Sequence, residues 1–211
     1  LMKLFFLLPL LKFVQPPVIF IAHVHRGDLK SFYQQSLINR ILLKRVWHFI
    51  DRLIVLSPVF KDQIRDLGYK KEIDFLRNTS DFEGTPAFYK KSYSGRFISI
   101  TNYIKSKGIV ELVSCFSEKD MSDLSLDTYG GIYESETYRQ ITQLKPANIA
   151  FHESLARDKF TDTICNFDAL ILPSWNEGQP IIIIEAMSLG IPVIASDVGD
   201  IRNMLGEDYP F

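Results

Sequence analysis

The stretch "ILPSWNEGQPIIIIEAMSLGIPVIASDVGDI", residues 171–201, sets two acids around four consecutive isoleucines. Glu177 and Glu185 stand eight positions apart, with Pro180 between them. The spacing predicts a helix over 181–189 that is apolar nearly all round and so packed on most sides. Glu185 falls one turn beyond Ile181, on the same face. A carboxylate buried there without a partner costs on the order of several kcal/mol. A pair of ligand hydroxyls would satisfy it, since an ionised carboxylate accepts two strong hydrogen bonds. The start of the same helix offers free N–H groups and a positive dipole end, which suit a phosphate. Two plainer readings stay open. Glu177 fits an acid favoured near a helix N-terminus, and Glu185 fits a solvent-facing residue on a half-exposed helix.

The elements around this stretch must position it. "DALILPS" (168–174) reads as a buried strand, and "SWNEG" as the loop at its carboxyl end, the edge where open α/β sheets bind ligands. Pro180 fits the first helical turn and Gly190 the stop. Strand and helix signals alternate along the rest of the chain. "VIFIAHV" (18–24) is a strand. A helix over 29–50 carries Leu29, Phe32, Tyr33, Leu37, Ile41 and Leu42 at helical spacing. "RLIVLS" (52–57) is a strand, followed by an N-cap and first-turn proline at Ser57-Pro58 and a stop at Gly68. "EIDFLRN" is another strand. Residues 78–95, rich in turn formers, read as an interdomain linker. The alternation resumes with "RFISIT" (96–101), then a helix with Ile109, Leu112, Val113 and Phe116 on one face. "LSLDTY", "NIAF" and "PVIAS" (192–196) are further strands. Such alternation implies right-handed βαβ units and parallel sheets. The boundary is placed at 85, giving domains 1–85 and 86–211.

Composition narrows the partners. With 211 residues, 46% hydrophobic content and a net charge of −1, the chain suits one or two globular domains and gives no whole-chain case for nucleic acid. Cys115 and Cys165 lie far apart, so a reducing compartment, and a cytoplasmic location, is the default. His23-Val24-His25 makes no zinc signature, and no metal is expected. "LMKLFFLLPLLKFV" resembles a signal-peptide core, but Pro9, Lys12 and the lack of a cleavage site favour a buried or interfacial helix over a targeting segment. Lys44, Arg45, Lys61, Arg65, Lys70 and Lys71 fit peripheral membrane contact, and a solvated charged face fits them at least as well. "TYGG" (128–131) is a weak glycine turn.

Pro173-Ser174, Glu177-Gly178, Pro180, Glu185-Ala186-Met187, Gly190, Pro192-Val193 and Ser196-Asp197-Val198-Gly199 together resemble the signature of retaining glycosyltransferases of family 4. "FIAHVHRGDLKSFY", "IDRLIVLSPVFKDQIRDLG", "FLRNTSDF" and "ISITNYIKSKGIVELVSCF" resemble further segments of that family, so the likeness covers nearly the whole chain. It begins late in the family's first domain and stops before the closing helices of the second, so the chain, opening on Leu1, looks like part of a longer protein. The resemblance implies an α/β GT-B fold: a partial acceptor-side Rossmann-like domain and most of the donor-binding one. It also implies roles. Glu185 would bind the ribose hydroxyls of a nucleotide, and Glu177 would sit near the transferred sugar. Backbone N–H groups of Gly178, Gln179, Pro180's successor Ile181 and their neighbours would meet the sugar and diphosphate. Lys107 would neutralise the departing diphosphate, and His25 would occupy the active-site histidine position. An exposed lysine ahead of a helix and a core histidine are the plainer readings of the last two. His23 is expected on the opposite side of the strand, with a structural role.

The implied reaction moves a sugar from a nucleoside-diphosphate sugar to an acceptor hydroxyl with retention, in polysaccharide or glycoconjugate synthesis. The acceptor would be a saccharide or a lipid-linked one. The donor is a substrate, and no cofactor is implied. This chain departs from the family at three positions: Asn102 stands where an arginine usually completes a cationic clamp, Arg26 where a glycine is common, and Glu153 where a glycine usually follows the strand. The first departure keeps a GT-B epimerase-type isomerase open. The missing strands keep an inactive, nucleotide-sugar-binding fragment open.

Overall fold

The computed structural model describes residues 8–9, 11, 19–25, 29–80, 92–144 and 146–209. The chain divides into two compact units, residues 1–78 with 177–179, and residues 79–176 with 180–211. Most of the apolar N-terminus, Arg26 and the linker core at 81–91 lie outside the described residues.

The first unit holds a parallel three-stranded sheet, β1 (Ile21–Val24), β2 (Arg52–Val55) and β3 (Glu72–Phe75), in that order. The predicted helix over 29–50 is in fact two helices, α1 (Leu29–Gln35) and α2 (Leu37–Phe49). Ser36 separates them. Its backbone is extended, and its side chain caps α2 by accepting from Asn39 N at 3.1 Å. The new start resets the helical phase. Leu43, Val46 and Trp47 face the core, whereas Leu37 and Ile41, expected on the buried face, are 70% and 56% exposed. α3 (Pro58–Asp66) begins with proline at its first position and adds Phe60 and Ile64 to the same core. Ser57 has the extended backbone of an N-cap but makes no capping bond. Gly68, at φ +96°, ends α3 in the left-handed region.

The second unit is a parallel sheet of β4 (Arg96–Ile100), β5 (Ser125–Tyr129), β6 (Ile149–His152), β7 (Ala169–Leu172) and β8 (Val193–Ala195), ordered β6-β5-β4-β7-β8. Residues alternate between two cores as a pleated strand requires. Phe97, Leu126 and Ile171 pack with α4 (Ile109–Phe116) and α5 (Ser135–Gln143). Ile98, Leu170 and Leu172 pack with α6 (Phe160–Ile164), α7 (Ile181–Ser188) and α8 (Ile201–Leu205). All four residues of β7 are buried, which explains its unbroken apolar sequence. β4 pairs with β5 on one side and β7 on the other, so the strand order reverses there. The loops after β4 and β7 leave the sheet side by side, at the place where α/β folds bind ligands.

Candidate functional site at the carboxyl rim of the second sheet

The loop after β4 carries Asn102 and Lys107. A tight turn, Lys105–Lys107, closes with Lys107 N donating to Ile104 O at 3.0 Å. Gly108 follows at φ +66°, and a Cβ there would lie 1.9 Å from Pro173 O. Both conformation and space therefore demand glycine, and the two rim loops touch at this point. Trp175 N donates to Ser106 O at 3.0 Å, joining the loop after β7 to Lys107's turn. Lys107 is half-buried and Asn102 exposed.

Tyr103 and Glu134, which the sequence reading missed, hold this rim together with Gly130. Tyr103 is 1% exposed, and its hydroxyl reaches Thr128 O at 2.9 Å and His152 O at 2.7 Å. Burial pushes its phenol above the usual range, against the pull of the Thr128 and His152 hydrogen bonds. Glu134 accepts from Lys105 N and Thr137 Oγ1, each at 2.8 Å, and those bonds hold its carboxyl below the usual range. Gly130 permits this zippering, because a Cβ there would meet Thr101 O at 1.9 Å. The glycine turn that looked weak as a motif is a packing requirement.

Glu185, on α7, is 7% exposed, which removes the solvent-facing reading. The face is not uniform, since Ile181, one turn earlier, is 44% exposed. Pro180 is the N-cap of α7, and Gly190 follows its end at φ +70°. The Glu185 carboxylate is paired: Oε1 accepts from Arg157 Nη1, and from Ser80 Oγ at 3.4 Å. A buried acid in an apolar helix signals that some cation is needed. Nothing in the spacing singles out Arg157 among 24 lysines and arginines.

Glu177, Gly178 and Gln179 group with the first unit. Gln179 is buried. Its Oε1 accepts from Asn78 N at 2.8 Å, its Nε2 donates to Leu56 O at 3.1 Å, and its carbonyl accepts from Asn78 Nδ2 at 2.7 Å. Gly178 and His25 are brought together: a Cβ on Gly178 would lie 2.6 Å from His25 O. His25 is exposed, and its ring centroid is 3.9 Å from that of His23. The expectation that His23 points away from His25 fails, because residues two apart on a strand share a face. Partial burial and then the neighbouring His25 lower the His23 value. Glu177 is half-buried. Among the described residues no group of three or more His, Cys, Asp or Glu could hold a metal ion. No described helix is long and apolar enough to cross a membrane.

Residues 93–209 match the family described as Glycosyl transferases group 1. A glycosyltransferase named for teichuronic acid biosynthesis in Bacillus subtilis (strain 168) is 27% identical over 110 residues, covering 52% of this chain and 26% of that protein. The alpha-galactosylglucosyldiacylglycerol synthase of Streptococcus pneumoniae is 22% identical over 213 aligned positions, covering 90% of this chain and 57% of that protein. Among solved structures, sucrose-phosphate synthase from Thermosynechococcus elongatus superposes with a TM-score of 0.75 at 17% identity, over 89% of this chain and 52% of that one. The chain thus spans between about a quarter and three-fifths of the length of the relatives it matches.

Proposed function

The chain belongs to the group 1 glycosyl transferases and has their α/β GT-B fold, and from that premise we propose that the protein transfers a hexose from a nucleoside-diphosphate sugar to an acceptor hydroxyl with retention of configuration. The observation that carries this reading is the buried Glu185 carboxylate on the helix after β7, at the rim where the strand order reverses. Glu185 takes the ribose hydroxyls. The start of α7 and Lys107 face the diphosphate, and Asn102 offers an amide donor where the family usually has an arginine. Glu177 serves the transferred sugar, together with backbone N–H groups from Gly178 to Ile181. His25 serves the acceptor side.

Breaking the glycosidic bond puts positive charge on the sugar ring and negative charge on the leaving phosphate, as in other oxocarbenium-like transfers. Fixed donors aimed at the leaving group stabilise that charge as it grows. The reaction takes its sugar from the donor substrate and calls on no cofactor. The names of the two sequence relatives favour an acceptor in polysaccharide or glycolipid synthesis, either a saccharide or a lipid-linked one. Peripheral membrane contact through the basic stretch fits such an acceptor. Asn102 also favours a second reading, an isomerase acting on a sugar nucleotide. Release of nucleoside diphosphate only in the presence of acceptor identifies the transferase.

The direct test is calorimetric titration of the full-length protein with uridine, guanosine and adenosine diphosphates. Glu185→Ala should weaken binding of the preferred one about 10- to 100-fold with the domain still folded. Unchanged affinity removes the ribose role.

A further inference from the structure

The two oxygens of Glu185 are not equivalent. Oε1 carries both protein bonds, from Arg157 Nη1 and Ser80 Oγ. No donor among the described residues reaches Oε2. Arg157 Nη2 donates to Ser80 Oγ at 3.3 Å, so arginine, serine and carboxylate close a ring. The arginine leads the turn Arg157–Lys159 after β6, its guanidinium 5.7 Å from the Phe160 ring centroid. Its side chain is 50% exposed against 9% for Glu185, so a solvated cation neutralises a buried anion from the outside.

We propose that Arg157 is a positioning residue for the nucleotide, pinning Oε1 of Glu185 so that Oε2 is presented to a ribose hydroxyl. This rests on the ribose role given to Glu185 above. A carboxylate held from two directions cannot rotate to follow a poorer ligand, so the arrangement selects a ribonucleotide over its 2′-deoxy counterpart. The missing hydroxyl would leave Oε2 without the donor it is presented to. The planar fork of arginine matters because one nitrogen takes the acid and another the serine. A lysine supplies the charge without the second anchor.

The test titrates full-length wild type, Arg157→Ala, Arg157→Lys and Ser80→Ala with uridine, guanosine and adenosine diphosphates and their 2′-deoxy forms. Wild type should prefer the ribo form of its best nucleotide. Arg157→Ala should lose about tenfold on that form, and its ribo-to-deoxy preference should fall toward one. Arg157→Lys and Ser80→Ala should fall between, and the serine variant carries the test should the arginine variants fail to fold. An equal loss on both sugar forms reduces Arg157 to a structural ion pair and overturns the proposal. Tighter binding by Arg157→Ala overturns it too, because the arginine then competes with the ribose. A wild type that binds nucleotide without preferring ribose overturns the role of Glu185 itself, and the positioning role with it.

Discussion

Glu134 and Glu185 both lie near the carboxyl rim of the second sheet, and the protein holds them in opposite ways. Glu134 is exposed, and its Oε2 takes a backbone N–H and a threonine hydroxyl from the rim itself. Glu185 is buried, and its protein partners take only Oε1. The first acid ends on the turn that carries Lys107, so its role is to build. The second is a buried residue whose Oε2 is clear of the described protein donors, which suits the binding role proposed for it. In each acid one oxygen carries both protein bonds, so what separates them is burial and the kind of partner: a backbone N–H and a threonine for the exposed Glu134, an arginine and a serine for the buried Glu185.

The strongest blow to this division should come from Lys107→Ala. If the turn held by Glu134 serves chemistry and the Glu185 ring serves binding, removing this cation should lower kcat about 100- to 1,000-fold. Nucleotide affinity by calorimetry should move far less. Steady-state rates of the full-length protein with a saturating donor measure it. A loss confined to KM would place Lys107 with the binding residues and dissolve the contrast.

Gly108→Ala comes next. A methyl group there faces both a left-handed backbone and Pro173 O at 1.9 Å. Strain and overpacking together should cost roughly 3 kcal/mol, read as a lower midpoint of denaturant unfolding. Gly68→Ala is the control: its φ is +96° but nothing lies within 4 Å, so only the backbone strain remains. Equal effects at the two glycines would mean that the rim loops do not depend on their close contact.

Much of the rim was legible because its signals are local. The apolar run of β7, the 3.6-residue spacing of Ile109, Leu112, Val113 and Phe116, and the glycine after α7 each follow from neighbours in sequence. Glu185 was legible as a problem, a charge in an apolar helix, but its solution was not. Ser80 and Arg157 reach it across 105 and 28 positions, and no periodicity reports a contact of that kind. Asn78, which fixes Gln179 across 101 positions, was hidden for the same reason. The break at Ser36 had a local signal, since serine is a strong N-cap. A continuous apolar pattern overrode it, and the phase assigned to Leu37 and Ile41 followed that pattern.

The smallest effect falls on Glu134 and separates building from binding by pH. Hydrogen bonds from Lys105 N and then Thr137 hold its folded carboxyl below the ordinary value of 4.5. A group depressed on folding adds stability that is complete above its unfolded value and fades as pH falls through its folded one. Acidification of wild type below 4.5 should therefore loosen the Lys105–Lys107 turn. Glu134→Gln keeps a neutral acceptor for the same N–H and loses this titration. At neutral pH the variant should lose a little activity, far less than Lys107→Ala, and its unfolding midpoint should fall less steeply with acid than that of wild type. Identical slopes would show that the turn holds itself without the acid. Lys107 would then be placed without help from Glu134, and Glu134 would no longer serve as the structural counterpart of Glu185.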